Sequence, residues 1–164
     1  MGARAQIILW ENIFAVVDDG AGLAADYETF GKLILKQCAK FPLGVGCLTI
    51  IPQKSKPPPP EVRAAINTAL AALAGQLRCF CWLVEESGFE GATVRAVLTG
   101  LRMFGRFSYP THISTTLDDS LTWMLPHLRA PDQWRTHIPS ASAAIRSARE
   151  SARYLNAPNE PGQV

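Results

Sequence analysis

Cys79-Phe80-Cys81-Trp82-Leu83-Val84 opens the part of the chain that decides the fold, followed by Glu85-Glu86-Ser87-Gly88-Phe89-Glu90-Gly91, a stretch from Thr93 to Phe104, and Thr111-His112-Ile113-Ser114-Thr115. The first segment is an unbroken apolar run of strand length, and the polar, glycine-bearing segment after it reads as a loop. Val94, Val97, Leu98, Leu101 and Phe104 then recur at helical spacing, with Gly105 as the stop. Thr111 to Thr115 returns to strand chemistry. Thr116 is placed as an N-cap, with Asp119 three residues on in a capping-box-like arrangement, and Leu121, Met124, Leu125 and Leu128 form the stripe of a last helix. Strand, helix and strand in that order, with so long a connection, predict a parallel crossover and a sheet backed by helices.

The residues before this unit extend the pattern. Gln6 to Glu11 and Ile13 to Asp18 read as two short strands around Asn12, which tolerates turn geometry. From Leu23 the period changes: Tyr27, Phe30, Ile34, Cys38 and Phe41 share one helical face, Lys32, Lys36 and Lys40 another, and Pro42 and Gly44 end the helix. Val45 to Ile51 is again of strand length. Pro52 closes it before the basic, proline-rich Gln53-Lys54-Ser55-Lys56-Pro57-Pro58-Pro59-Pro60, which predicts a polyproline turn. Pro60 suits a first helical turn and Glu61 its positive end, with Val62, Ile66, Leu70, Leu73 and Leu77 as the buried stripe.

The predicted fold class is α/β, in the order β-β-α-β-α-β-α-β-α: a mixed, mostly parallel five-stranded sheet with helices packed on one side. Such a one-sided layer leaves the other sheet face needing a cover or a partner. Residues 1–128 read as one domain. Residues 129–164 contain Pro131, Pro139, Pro158 and Pro161 with an Ala-, Ser- and Arg-rich helical candidate over 142–155, and read as an appended tail.

The chain has 164 residues, 48% hydrophobic and 18% charged, enough for one well-filled core. Its net charge of +2 gives no field that marks nucleic acid or an anionic membrane as partner. Acids and bases balance over residues 1–128, so the excess lies in the tail. Apolar runs reach only about five to seven residues, far short of the roughly 20 that span a bilayer. Glu11, Asn12, Asp18 and Asp19 interrupt the first apolar region before a signal-peptide core forms, so a cytoplasmic location without membrane insertion is expected. Cys38, Cys47, Cys79 and Cys81 all fall in apolar segments and are expected as reduced, buried small hydrophobes. Cys79-x-Cys81 places two thiols on one strand face, unlike the Cys-x-x-Cys loops of zinc or redox sites.

The order of elements, together with Thr111-His112-Ile113-Ser114-Thr115-Thr116-Leu117-Asp118-Asp119-Ser120-Leu121-Thr122-Trp123, resembles the STAS fold of bacterial anti-sigma-factor antagonists and related SpoIIAA-like proteins, whose final short strand runs into a T-x-x-E/D-A-x-x-W-L helix. The helix Thr93-Val94-Arg95-Ala96-Val97-Leu98-Thr99-Gly100-Leu101 is similar to that of short bacterial members. The resemblance covers residues 6–128. It implies a regulatory binding domain without catalysis, in which a serine at the start of the second helix is phosphorylated by a partner kinase. The family's Asp-x-Ser-Gly turn is replaced here by Pro52-Gln53-Lys54-Ser55-Lys56-Pro57, where Ser55 is the nearby hydroxyl and lacks the flanking Asp and Gly.

The residues show no catalytic constellation. His112, His127 and His137 have no metal-ligand spacing, and Asp18-Asp19 and Glu85-Glu86 are adjacent pairs whose members point to opposite faces of a strand. No P-loop, dinucleotide or Gly-x-Ser-x-Gly motif occurs. The Lys54–Pro60 loop leaves a strand end and meets a helix start, where partners dock in α/β sheets, and Thr93 and Arg95 belong to the same edge by the same logic. The expected function is therefore a non-enzymatic regulatory or adaptor module binding a protein partner, a regulator or kinase, through Lys54, Ser55, Lys56, Thr93 and Arg95. No catalytic residue, metal or cofactor is assigned. The alternative is a small-ligand or lipid-binding domain with a pocket lined by Trp10, Phe14, Phe80, Trp82, Phe104 and Phe107. Self-association into a homodimer is expected through the first strand's edge or the apolar side of the tail helix.

Overall fold

The computed structural model describes residues 6–20, 22–55, 57–104, 107–129 and 133–156. Its elements are Gln6–Trp10 (β1), Ile13–Val17 (β2), Ala24–Lys40 (α1), Val45–Ile51 (β3), Pro60–Ala72 (α2), Leu77–Val84 (β4), Gly88–Phe104 (α3), Thr111–Ser114 (β5), Leu117–Leu128 (α4) and Trp134–Asn156 (α5). The sheet has five strands in the order β1-β2-β3-β4-β5, antiparallel between β1 and β2 and parallel from β2 onward. The mixed α/β class read from the apolar runs is the fold observed.

The opening hairpin turns at Glu11-Asn12, with Trp10 opposite Ile13. Glu11 takes the turn's positive φ of 46°, and the buried Asn12 donates its side-chain amide to Gly44 O at 3.1 Å. That bond locks the hairpin to the loop that enters β3. At the start of α4, Thr116 caps as its position suggested, its hydroxyl accepting from Asp119 N at 3.1 Å.

Strands β2 to β5 follow one another across the sheet in sequence order, so right-handed crossovers put α1, α2 and α3 on the same face. Phe14, Val16, Val45, Cys47, Phe80, Trp82 and Val84 project there, against Ile34, Leu70, Leu73 and Leu98 from the helices. All helices on one side was the expectation, and it is corrected here: α4 and α5 cover the opposite face. They follow the last strand, so no crossover rule binds them, and the apolar residues that alternate to the second face need burial. Ile8, Ile13, Ala15, Leu48, Ile50, Cys79, Cys81 and Leu83 meet Leu121, Met124, Leu125 and Leu128 of α4 and Ala141 and Ile145 of α5. The cover that the sheet lacked is supplied by the chain itself.

Gly46 shows how closely α4 lies. A Cβ there would stand 2.8 Å from Leu128 Cδ1 and 2.9 Å from Met124 Cε, so the absent side chain is what admits the helix. The C-terminal segment is likewise no loose appendage over its described part. α5 begins at Trp134, ahead of the expected start at 142, with Pro139 inside it. Pro139 leaves Arg135 O without its helical donor, at a place where both residues are exposed to solvent. Trp134 and Ile138 hold this first part against the second core. Farther along, Arg149 makes a bidentate ion pair with Glu85 at 2.5 and 2.9 Å, Ser142 Oγ donates to Asp118 at 2.9 Å, and Gln6 Nε2 donates to Ala148 O at 2.7 Å. These contacts tie α5 to β1, to the end of β4 and to α4. Among the described residues no helix is long and apolar enough to cross a membrane.

Candidate functional site

The two helix layers pack differently. α1 and α2 approach closely because Gly31 faces Ala69, whose Cβ would lie 3.6 Å from an added one. α2 and α3 instead leave a groove between them, a hollow of about 700 Å³ lined by Ala64, Asn67, Ala71, Ala96, Gly100 and Phe107 among others. Small residues on both sides leave the space unfilled, where larger ones would interdigitate. Beneath this gap, between the three helices and β2, β3 and β4, lies a cavity of about 110 Å³. Its floor comes from Val16, Cys47, Thr49, Phe80 and Trp82 of the sheet, and its walls from Phe30 and Ile34 of α1, Ile66, Leu70 and Leu73 of α2, and Val94, Val97, Leu98 and Leu101 of α3. Arg63, Val97 and Leu101 line both hollows, so the two are neighbours.

Apart from Thr49 in the floor, polarity is confined to one end. Asp18 and Gly20 follow β2, Ser55 follows β3, Arg63 lies in the first turn of α2, and Tyr27 lies in the first turn of α1; all line the cavity at the carboxyl edge of the sheet. The Asp18 carboxylate accepts the Tyr27 hydroxyl at 2.8 Å and Gly20 N–H at 2.9 Å. Burial first, and this carboxylate second, push the Tyr27 hydroxyl well above its ordinary range. Ser55 donates its hydroxyl to Pro52 O at 2.7 Å. Arg63 is half-buried and makes no side-chain hydrogen bond or ion pair among the described residues.

Of the residues named from sequence, the structure brings Lys54, Ser55 and Arg95 to one edge, and Glu86 joins two of them. Lys54 takes a positive φ of 65° and donates its backbone N–H to Glu86 Oε2 at 2.5 Å, while Arg95 Nη1 donates to Glu86 O at 3.2 Å. Ser55 alone of these lines the cavity. Thr93 stands apart, exposed on α3 with its hydroxyl on Phe89 O at 3.1 Å, and Lys56 lies outside the described residues. Among the aromatics, Phe80 and Trp82 line the cavity and Phe107 the groove. Trp10 packs with the opposite core, Phe14 is buried beside Val16 without reaching the cavity lining, and the side chain of Phe104 lies outside the description.

The other chemistry-bearing groups are accounted for by packing. All four cysteines are buried and free. Burial raises every thiol, with Cys79 pushed up to about 12 and Cys81 to about 11, so they are protonated and poor nucleophiles at neutral pH. The His112 ring stacks on Trp123 at 4.9 Å, with Asp119 3.7 Å from its Nε2; His127 packs on the same indole at 4.8 Å, and His137 meets Trp10 edge-on at 5.9 Å. Among the described residues no three His, Cys, Asp or Glu side chains gather as metal ligands.

In the sequence Asp18 reads only as one of an adjacent carboxylate pair, Tyr27 as part of a helical stripe, and Arg63 carries no signal; only the convergence of two strand ends and two helix starts makes the three neighbours of one cavity. Comparison with known proteins finds no matching family model, no matching curated protein and no matching solved structure.

Proposed function

We propose that this protein is a non-catalytic binding module whose ligand is a small apolar molecule held between the sheet and the layer of α1, α2 and α3. The observation that carries this reading is the cavity itself: its wall is almost wholly apolar, and its few polar groups, Thr49 aside, sit together at the carboxyl edge of the sheet. Ligands of open α/β sheets bind at that edge. A cavity of about 110 Å³ is somewhat smaller than the roughly 150 Å³ apolar cavity that takes up benzene. It suits a single ring or a short alkyl chain. Burying five or six methylene-sized groups at about 0.8 kcal/mol each contributes about 4–5 kcal/mol, which corresponds to a Kd near 1 mM.

Titration calorimetry with 1-hexanol tests this, using Val97→Phe as the control. Val97 is half-buried, lines the cavity and adjoins the groove, so the added ring has room to turn inward. Hexanol is expected to bind the native protein with a Kd of about 1 mM and to lose at least tenfold in affinity to Val97→Phe. Equal binding to both proteins would place the alcohol elsewhere and contradict the reading.

A second reading is the regulatory adaptor that the STAS-like order implies, with a protein partner docking on the strand-end loops. What favours it is the Glu86 link, which holds the Lys54 loop and Arg95 as one surface. The same reading places a second copy of the chain at the outer edge of β1, where Ile7 and Leu9 stay exposed. Alanine at both Lys54 and Arg95 is expected to release a stoichiometric partner captured by the native protein, and retention of every captured partner would contradict it.

A further inference from the structure

We infer that the ligand of the cavity is a monocarboxylic acid, its carboxylate on the Arg63 guanidinium and its apolar body directed inward; this rests on the reading of the cavity as a ligand site. The charged side chains of the cavity lining are Asp18 and Arg63, and Arg63 is the charged side chain in the lining of the adjoining groove. Asp18 is already engaged, one oxygen by the Tyr27 hydroxyl and the other by Gly20 N–H. It forms no ion pair with Arg63. Arg63 therefore stands half-buried with its guanidinium donors unused among the described residues, at the junction of two hollows whose remaining walls are mostly apolar.

A guanidinium in such a place selects for a planar anion, because its fork of N–H donors matches a carboxylate with two parallel hydrogen bonds. Ser55, in the same lining, has its proton committed to Pro52 O. It brings no second positive charge. Arg63 offers one positive charge and the Asp18 carboxylate in the same lining repels any further anion, so each negative charge on the ligand beyond the first goes uncompensated, which favours a carboxylate over a phosphate monoester. An acid whose head is held at Arg63 has its chain beside Val97 and Leu101, and from there toward Leu70 and Leu98.

Calorimetry with hexanoate, 1-hexanol and hexyl phosphate, on the native protein and on Arg63→Met, separates this inference from the reading beneath it. Methionine keeps an unbranched stem against the apolar wall and removes the charge. Hexanoate is expected to bind the native protein at least tenfold more tightly than hexanol, and Arg63→Met to abolish that preference. Hexanol binding as tightly as hexanoate would overturn the carboxylate assignment and leave the apolar cavity site standing. Tighter binding of hexyl phosphate would overturn it in favour of a phosphate head, and no heat with any of the three would overturn both the inference and the cavity reading.

Discussion

Raising the pH from 8 to 11 is expected to lower the unfolding free energy by about 6 kcal/mol from two thiols alone. Burial pushes the Cys79 thiol up to about 12 and the Cys81 thiol up to about 11, against a small opposing effect at Cys81 from the hydroxyls of Ser114 and Ser120. In the unfolded chain both titrate near the ordinary thiol value of about 8.5. Below that value folded and unfolded states hold the same thiol protons, and these groups leave stability independent of pH. Above it the unfolded chain releases protons that the folded chain retains, so stability falls by about 1.4 kcal/mol per pH unit for each thiol. The fall from these two ends between about 11 and 12, where the folded thiols begin to ionise. Cys47, Tyr27 and Tyr109 are raised in the same direction by burial and steepen the alkaline limb. Urea unfolding at a series of pH values reads the slope, and the double variant Cys79→Ala with Cys81→Ala isolates the thiol share. A slope unchanged by the double variant would show that these thiols are reached by solvent in the folded chain.

Replacing Leu121 by alanine is expected to cost about 2–5 kcal/mol. Leu121 is fully buried in the core that α4 shares with the sheet face opposite α1, α2 and α3. Truncation removes its transfer free energy and leaves a hole that the closely laid helix, pinned over Gly46, has little freedom to fill. At about 2–4 °C per kcal/mol for a chain of this size, the melting temperature falls by roughly 5–15 °C. Leu9→Ala on β1 is the matched control, since Leu9 is 54% exposed and its loss is expected to stay within about 0.5 kcal/mol. A Leu121→Ala loss no larger than that of the control would mean that α4 and α5 merely rest against the second face.

The alternation of strands and helices was legible because it rests on local signals. Continuous apolar runs such as Cys79–Val84, the periodic stripe at Tyr27, Ile34 and Cys38, and the Thr116 cap each report on neighbours within a few residues. Which face each helix covers is a different matter. The three crossover helices share a face by chirality, yet nothing local says where a helix after the last strand will go. The stripe Trp134, Ile138, Ala141 and Ile145 does recur at helical spacing, but Pro139 and the surrounding Ala, Ser and Arg weaken it to the eye. The small residues facing across α2 and α3 are equally silent in one dimension. Ala64, Ala71, Ala96 and Gly100 mark a gap only when the two helices stand beside each other, and Arg63 acquires meaning only from the hollow it adjoins. Lys54, Ser55 and Arg95 could be placed near one edge because strand ends and helix starts are visible in the chain, whereas the cavity that Ser55 borders is built from six elements.

The proposed ligand enters as an apolar chain between α1, α2 and α3 and the sheet. Contacts between the methylene protons of hexanoate and ¹³C-labelled methyl groups, measured by nuclear Overhauser effects, test it most directly. The expected result is a set of contacts to Leu70, Val97, Leu98 and Leu101, which line the cavity together, and none to the exposed Leu9. Saturating hexanoate that contacts only surface methyls such as Leu9 or Leu43, or that contacts none, would contradict the claim.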